Sequence, residues 1–456
     1  MPTDYRLTTV LGDDQLLFAK LIGRERLGEP FRYEFHLLSE NTDLDFDSLI
    51  GTPVSLTMTV GTDVSAGERY INGIITQVSH VGGVHSYDHY VMIVRPHLWL
   101  LKQTADCRIF QNMSIPDIIK EVLREGGVAI KDRLIESYPS VEYCVQYRES
   151  DFAFVSRLME QEGIYYYFAH TSTGHEMVLV DAGSAHQPIS GTSTVSFSRA
   201  GVGAWGMELI WDFAPVRAVT SGMVVLTDYD YLNPRASLEV RTQQLAAYDL
   251  EQGEVYDYPG KYVATAVGQT YSRIRLEALQ VAQSLCQGEG NVRGLTAGGL
   301  FELTAHPRDA DNREYLVVQS DLVIEVQNLD PKGKAEDDSP GAEIRRGFRS
   351  SFLAIPSEIP FRSRPTTPRP VIGGLHTAVV VGKAGEEIWT DELGRIKVQF
   401  HWDRLGRKDE NSTCWLRVAQ GWAGTQWGSS FIPRIGHEVV VQFLEGDPDR
   451  PLVTGS

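Results

Sequence analysis

Residues 391–455 restrict the fold more than any other part of the chain, because short apolar-alternating runs follow one another there with turn residues between them. Ile396, Val398, Phe400 and Trp402 alternate with Lys397, Gln399 and His401. Successive strand side chains point to opposite faces, so the first set can line a core while the second meets water. Asp391 and Gly394 precede this strand, and Asp447, Pro448, Asp449 and Pro451 stand near the end. These residues supply the fixed φ, the tolerated positive φ and the side-chain-to-backbone bonds that reversals need. About five such strands close a small barrel.

This stretch resembles the oligonucleotide/oligosaccharide-binding (OB) type of barrel found in VgrG proteins, the valine-glycine repeat spikes of type VI secretion systems, and more distantly the hub and spike of contractile phage tails. Four upstream segments resemble the same family in the same order: PHLWLLKQTADCRIFQNMSIPDIIKEVL (residues 96–123), QYRESDFAFVSRLMEQEGIYYYF (146–168), NREYLVVQS (312–320) and RPTTPRPVIGGLHTAVVVG (364–382). The resemblance implies a mainly β fold with some α+β character, in which barrel-like tube domains with helical insertions are followed by the OB-type barrel. It also implies a non-enzymatic homotrimer that caps the secretion tube, nucleates its assembly, punctures target membranes and carries effectors. A phage-type tail hub associated with cell-wall hydrolase activity is the alternative. The expected partners are a hexameric tube protein at the base, baseplate components, and a tip protein and effectors held through a C-terminal needle. Family members continue past a segment like GDPDRPLVTG into a β-prism needle, which is missing here, so trimerisation is expected to rest on the body and barrel. Two tube domains in each of three subunits would present six similar lobes to a six-fold ring, although no internal repeat is visible in the sequence.

Composition agrees. A chain of 456 residues with 42% hydrophobic and 22% charged residues is expected to form two to four domains with cores of their own. Its net charge of −18 would repel a phosphate backbone, which argues against nucleic acid as a partner. Asp13 and Asp14 interrupt the N-terminus where a signal peptide needs apolar residues. The expectation is therefore a protein made in the cytoplasm, assembled at a baseplate and exported by the type VI machinery without a signal peptide. The most apolar window, residues 90–101, is broken by Arg95, Pro96 and His97 and is too short to span a bilayer. Cys107, Cys144, Cys286 and Cys414 lie far apart and fit reduced thiols better than a disulfide framework or a zinc site.

Along the chain, residues 1–105 read as a first barrel-like domain with strands near 15–21, 31–38, 53–60, 70–81 and 90–101. Residues 106–200 read as a mixed α/β segment. In it Ser114 caps a helix carrying Ile115, Ile118, Ile119 and Val122 that Gly126 and Gly127 stop, and Ser150 caps a second that Gly163 ends. The aromatic run Tyr165, Tyr166, Tyr167 and Phe168 is expected in core and interface. Residues 201–355 read as a second tube-like domain, with discontinuous domains allowed for, and with a helix over 270–287 whose stripe is Ile274, Ala278, Val281 and Leu285. Within it, residues 331–341 read as an exposed loop. The prolines of 356–370 form a stiff connector before the barrel of 371–456.

Enzyme signatures fail: GxSxG, HExxH and GxxxxGK[ST] are all absent from the sequence. Gly288, Gly290, Gly294, Gly298 and Gly299 follow a predicted helix and precede a strand, the reverse of a nucleotide-binding turn, so a plain turn is expected. His401 and His437 with Asp403 or Glu438 read as surface histidines, and His170, His175, Asp181 and His186 match no ligand spacing. No cofactor, metal site or catalytic residue is expected. Among Trp389, Trp402, Trp415, Trp422 and Trp427, base stacking is disfavoured because Lys397, Arg404, Arg407 and Lys408 are neighboured by acids. Trp402 is expected in the core. Trp422 and Trp427, in the glycine-rich QGWAGTQWGSS, are the candidates for subunit contact.

Overall fold

The computed structural model describes residues 5–12, 15–60, 67–84, 87–191, 193–199, 207–245, 253–326, 347–424 and 427–456. The loop expected over 331–341 lies outside them. The chain divides into two compact units, one of residues 1–99, 127–136 and 160–364, the other of 100–126, 137–159 and 365–456.

The first unit is organised around one long sheet. Its order runs Tyr5–Thr8, Pro53–Val60, Gly67–Val84, Tyr87–Arg95, Glu29–Ser39, Leu17–Arg26 and Glu314–Glu325, then Phe348–Pro356, Cys286–Gly290, Leu209–Pro215, Thr194–Phe197, Gly299–Thr304 and Gln187–Pro188. Gly299–Thr304 also pairs back with Glu314–Glu325, so six strands close into a barrel. Glu314–Glu325 belongs to two bodies: Glu314 to Leu316 pair with the second barrel, whereas Gln319 to Glu325 pair with Leu17–Arg26. A register shift against Phe348–Pro356 between Val317 and Gln319 changes which parity of residue a face presents along the strand, so odd residues enter one core and even residues the other. Leu322 and Ile324 join Phe31, Tyr33, Phe35, Leu56, Met58 and Met92 in the first core. Tyr315 and Val317 join Phe197, Phe213, Phe301 and Phe352 in the second.

A buried ion pair ties the two bodies. Arg69 Nη2 donates to Glu25 Oε1 at 2.7 Å and its Nη1 donates to the carbonyls of Arg293 and Leu295 at 2.7 and 3.0 Å. The Glu25 carboxylate also accepts from the Tyr33 and Thr296 hydroxyls at 2.9 and 2.5 Å. A buried charge pair is tolerated when its remaining donors and acceptors are satisfied in this way.

Helix α1 (Ile115–Glu125) begins as its sequence indicates: the Ser114 hydroxyl accepts from the Asp117 N–H at 3.3 Å, and Gly127 takes φ 70° beyond its end. Helix α2 (Asp151–Glu162) follows the same pattern, with the Ala153 N–H bonded to Ser150 Oγ at 3.1 Å and Gly163 at φ 71°. Tyr165 and Tyr166 are core residues of the strand Tyr165–Thr171. Several sequence expectations are corrected. Tyr5–Thr8 is a strand that its four residues did not announce. The strand expected over 90–101 ends at Arg95, because Pro96 cannot donate to the ladder, and a 3₁₀ turn over His97–Lys102 follows. Helix α3 (Thr265–Gln280) starts and stops earlier than 270–287, since Cys286–Gly290 is needed as a strand of the second barrel. Gly288 and Gly290 thus sit in a strand, where a Cβ on Gly288 would lie 2.2 Å from the Phe352 ring. Glu277, on helix α3, accepts from Arg362 Nε at 2.8 Å.

Residues 106–200, read as one segment, are shared between the units, and Thr194–Phe197 is part of the second barrel rather than preceding it. The units divide after Arg364, inside the 356–370 stretch. That stretch is no free spacer at its start: Phe361 packs edge-on against Tyr165 at 4.9 Å, and Arg362 donates to the carbonyls of Gly163 and Asp181.

The second unit is built on a five-stranded barrel ordered Lys397–Phe400, His376–Val381, Glu438–Phe443, Pro451–Gly455, Arg417–Val418. Two backbone bonds between Ile396 and Leu416, 3.0 and 2.7 Å, bring the first and last of these together and close it. Ile396, Val398 and Phe400 are buried as their alternation implies. Gln399, expected at the surface, is buried because its amide donates to the Asp403 carbonyl at 3.0 Å. The Asp391 carboxylate accepts from the Leu393 and Arg395 N–H groups at 3.1 and 2.9 Å, and Gly394 has φ 69°, which makes the turn read from those residues. Beside the barrel lies the hairpin of Ala105–Ser114 and Ser140–Ser150 with its two helices. The Val145 N–H donates to Asp449 Oδ1 at 2.7 Å across 304 residues of sequence, and Ile109 and Tyr147 pack against the barrel core.

Candidate interface

The described residues of 420–432 form a small arm beside the barrel. Its described core is a two-stranded ladder pairing Ala423 with Gly428 and Gly424 with Trp427. Two glycines shape it: a Cβ on Gly424 would fall 2.2 Å from the Trp427 indole, and Gly428 adopts φ 130°. At the base, Gln420 Oε1 accepts from the Phe431 N–H at 2.9 Å, and the Ser429 N–H donates to the Trp422 carbonyl at 2.9 Å. An ion pair between Arg434 and Glu387 lies just beyond.

The arm displays its aromatics. Trp422 is 67% exposed, Trp427 55% and Phe431 72%, with the two indoles 5.0 Å apart at 57°. Covering the exposed parts of both indoles would remove on the order of 100 Å² of apolar surface each from water, about 2–3 kcal/mol apiece. Trp402 is different: it stacks on Phe400 at 4.9 Å and meets Tyr147 edge-on at 5.6 Å, the core role its alternation implies. Trp389 and Trp415 lie 6.4 Å apart, with Lys397 Nζ 5.1 Å from the Trp415 centroid. Phe431 and Ile432 were missed in the sequence, although an apolar pair inside the polar stretch SSFIPRIG is a signal that could have found them.

Of the residues weighed for chemistry, His170 and His175 come together, with ring centroids 5.9 Å apart and His175 Nε2 accepting from the His97 N–H, while the others make separate local contacts. His401 Nε2 lies 3.1 Å from the Thr377 hydroxyl and His437 Nδ1 accepts weakly from the Arg434 N–H. Asp403 accepts from the Leu405 and Gly406 N–H groups at 3.1 and 3.0 Å. His170 bonds Asn72, His186 bonds Tyr165, and Asp181 accepts from the backbone of Ile135 and Glu136, so these three serve different sites. Among the described residues no three His, Cys, Asp or Glu side chains converge as a metal would need. Burial pushes the Cys286 thiol up to about 11 and the Cys414 thiol higher still, far from nucleophilic thiolates. The arrangement offers a surface for contact.

Residues 24–328 match the phage tail baseplate hub (GPD) family, and 377–456 match the type VI secretion system/phage-baseplate injector OB domain. The chain is 46% identical over 451 residues to the Pseudomonas aeruginosa type VI secretion system spike protein VgrG1b, and 47% identical over 446 residues to VgrG1a of the same organism. It belongs to the VgrG family of type VI secretion spike proteins. The match covers 99% and 98% of this chain but 59% and 68% of those two relatives. The E. coli c3393 protein, a type VI secretion component with structural similarity to T4 tail proteins gp27 and gp5, shares the fold with a TM-score of 0.69 at 21% identity, covering 99% of each chain. A chain of a PdpA-VgrG complex aligns with a TM-score of 0.59 at 8% identity over 99% of this chain and 86% of that one. Within this VgrG chain the baseplate-hub match covers most of both barrel bodies of the first unit but not Tyr5–Thr8 or Phe348–Pro356, and the OB-domain match covers the barrel that bears the tryptophan arm.

Proposed function

We propose that three copies of this chain assemble into the spike that caps a type VI secretion tube, nucleates the tube in the cytoplasm and is driven through a target membrane when a sheath contracts. Its work is recognition and mechanical transmission, without bond making or breaking. The observation that carries the reading is the exposed aromatic arm on a closed barrel, since solvent-exposed tryptophans at a rigid edge anchor subunit contacts. Support also comes from the two barrel bodies that share Glu314–Glu325. Three subunits with two such bodies each can meet a hexameric tube protein without a symmetry mismatch. Baseplate components, a tip protein and effectors complete the proposed partners, and export proceeds through the type VI machinery.

A native mass measurement at micromolar concentration tests the assembly. A three-chain mass is expected, with a shift toward single chains in the Trp422→Ala plus Trp427→Ala variant. A wild-type monomer, or a double variant of undiminished trimer stability, would overturn the assignment. In cells, loss of the gene is expected to stop release of the tube protein, and the purified chain is expected to leave cell-wall material intact.

A further inference from the structure

Away from the arm, three histidines stand on neighbouring strands of the first sheet: His36 on Glu29–Ser39, His89 on Tyr87–Arg95 and His80 on Gly67–Val84. The register pairs His89 with Leu38 on one side and with Gly82 on the other. His36 Nδ1 and His89 Nε2 are 3.1 Å apart, with the rings stacked at 5.3 Å and 23°. On the far side of the His36 ring, Nε2 is buried without a hydrogen-bond partner and lies 3.2 Å from Glu34 Oε1, an ion-pair distance without hydrogen-bond alignment. His80 Nε2 is engaged by Asp88 Oδ1 at 2.8 Å.

A neutral imidazole carries one proton and one lone pair. The Glu34 carboxylate favours the His36 proton on Nε2, which leaves the Nδ1 lone pair facing His89. With its own proton on Nδ1, His89 presents a second lone pair to the same point. Two nitrogens on one tetrahedral ion at 2.0–2.1 Å stand about 3.3 Å apart, so an opening of a few tenths of an ångström would admit the metal.

We propose that His36 and His89 form a two-histidine site for a borderline-soft divalent transition-metal ion such as Zn²⁺, Ni²⁺ or Cu²⁺. Water fills its remaining positions, because no third side chain converges there among the described residues. Imidazole pairs suit these ions rather than Mg²⁺ or Ca²⁺, which take oxygen ligands. A plain N–H···N hydrogen bond fits the same distance, and experiment separates the two.

Equilibrium dialysis of the full chain against Ni²⁺, with the thiols alkylated, is expected to show one saturable ion per chain. Binding should weaken at least tenfold in His36→Gln and in His89→Gln and stay unchanged in His80→Gln. On the wild-type chain, Ni²⁺ should also protect His36 and His89, but not His97, from carbethoxylation read by peptide mass, a measurement that needs no variant to fold. Absence of saturable binding up to millimolar Ni²⁺, equal affinity in all variants, or no selective protection would leave only the hydrogen bond and overturn the proposal.

Discussion

His186 is held by partners that fix the tautomer of its neutral ring. Its Nδ1 lies 2.9 Å from the Gly298 carbonyl, which can only accept, so Nδ1 carries the proton and Nε2 accepts from the Tyr165 hydroxyl at 2.9 Å. Burial lowers its pKa to about 4, against a smaller upward pull from the Gly298 carbonyl. The unfolded chain, with histidine near 6.5, binds more protons between those values, so this contribution is full above pH 6.5 and is lost as pH falls toward 4. Between pH 7 and pH 5 it should fall by about 2 kcal/mol, and His186→Gln should shrink the pH dependence of urea unfolding by that amount. Identical pH dependence in the two proteins would remove the assignment. Arg157 is a second case. It is 5% exposed, donates twice to Glu149, at 2.7 and 2.9 Å, and once to the Val145 carbonyl at 2.8 Å. Arg157→Met would strand a buried carboxylate and cost about 3–5 kcal/mol, whereas pairing it with Glu149→Leu should return part of that loss in the same denaturation assay. Arg and Glu in YRESDFAFVSR look like surface charge, since nothing local says that they will be enclosed.

At the scale of elements, local signals told most where the deciding contacts are local. Helices α1 and α2 were legible because a serine cap and a terminating glycine act within a few residues. Strand Cys286–Gly290 was not, because its glycines answer to a ring 60-odd positions away: Gly288 lies under Phe352, and a Cβ on Gly290 would fall 2.4 Å from the Leu209 carbonyl. Gly288→Ala is expected to destabilise the second barrel by about 1–3 kcal/mol through overpacking. Shrinking the obstacle with Phe352→Leu should make that substitution cheaper, a coupling readable from a double-mutant cycle. Purely additive losses would show that the glycine serves backbone freedom instead.

For the whole molecule, the decisive fact is that the second unit is assembled from three stretches of chain. Residues 365–456 contain every strand of the closed barrel, yet Ile109 and Tyr147 pack on its core and Val145 bonds Asp449. A fragment of residues 365–456 alone should therefore expose apolar surface, bind a hydrophobic dye and melt below the barrel transition of the full chain. A fragment as stable as the intact protein, with no dye binding, would show that the hairpin adds nothing to the barrel. The tryptophan arm belongs to this scale as well, since the contact proposed for its aromatics lies beyond one copy.

By itself the sequence determined the mainly β class, the C-terminal barrel and two capped helices, because alternation, caps and turn residues act over a few positions, and its long segments carried the family resemblance. Only the tertiary structure decided that Glu314–Glu325 serves two bodies, that residues 100–126 and 137–159 join the C-terminal barrel, and which polar groups are enclosed. Those outcomes depend on pairing between strands far apart in the chain, and burial is a property of what the rest of the protein places around a residue.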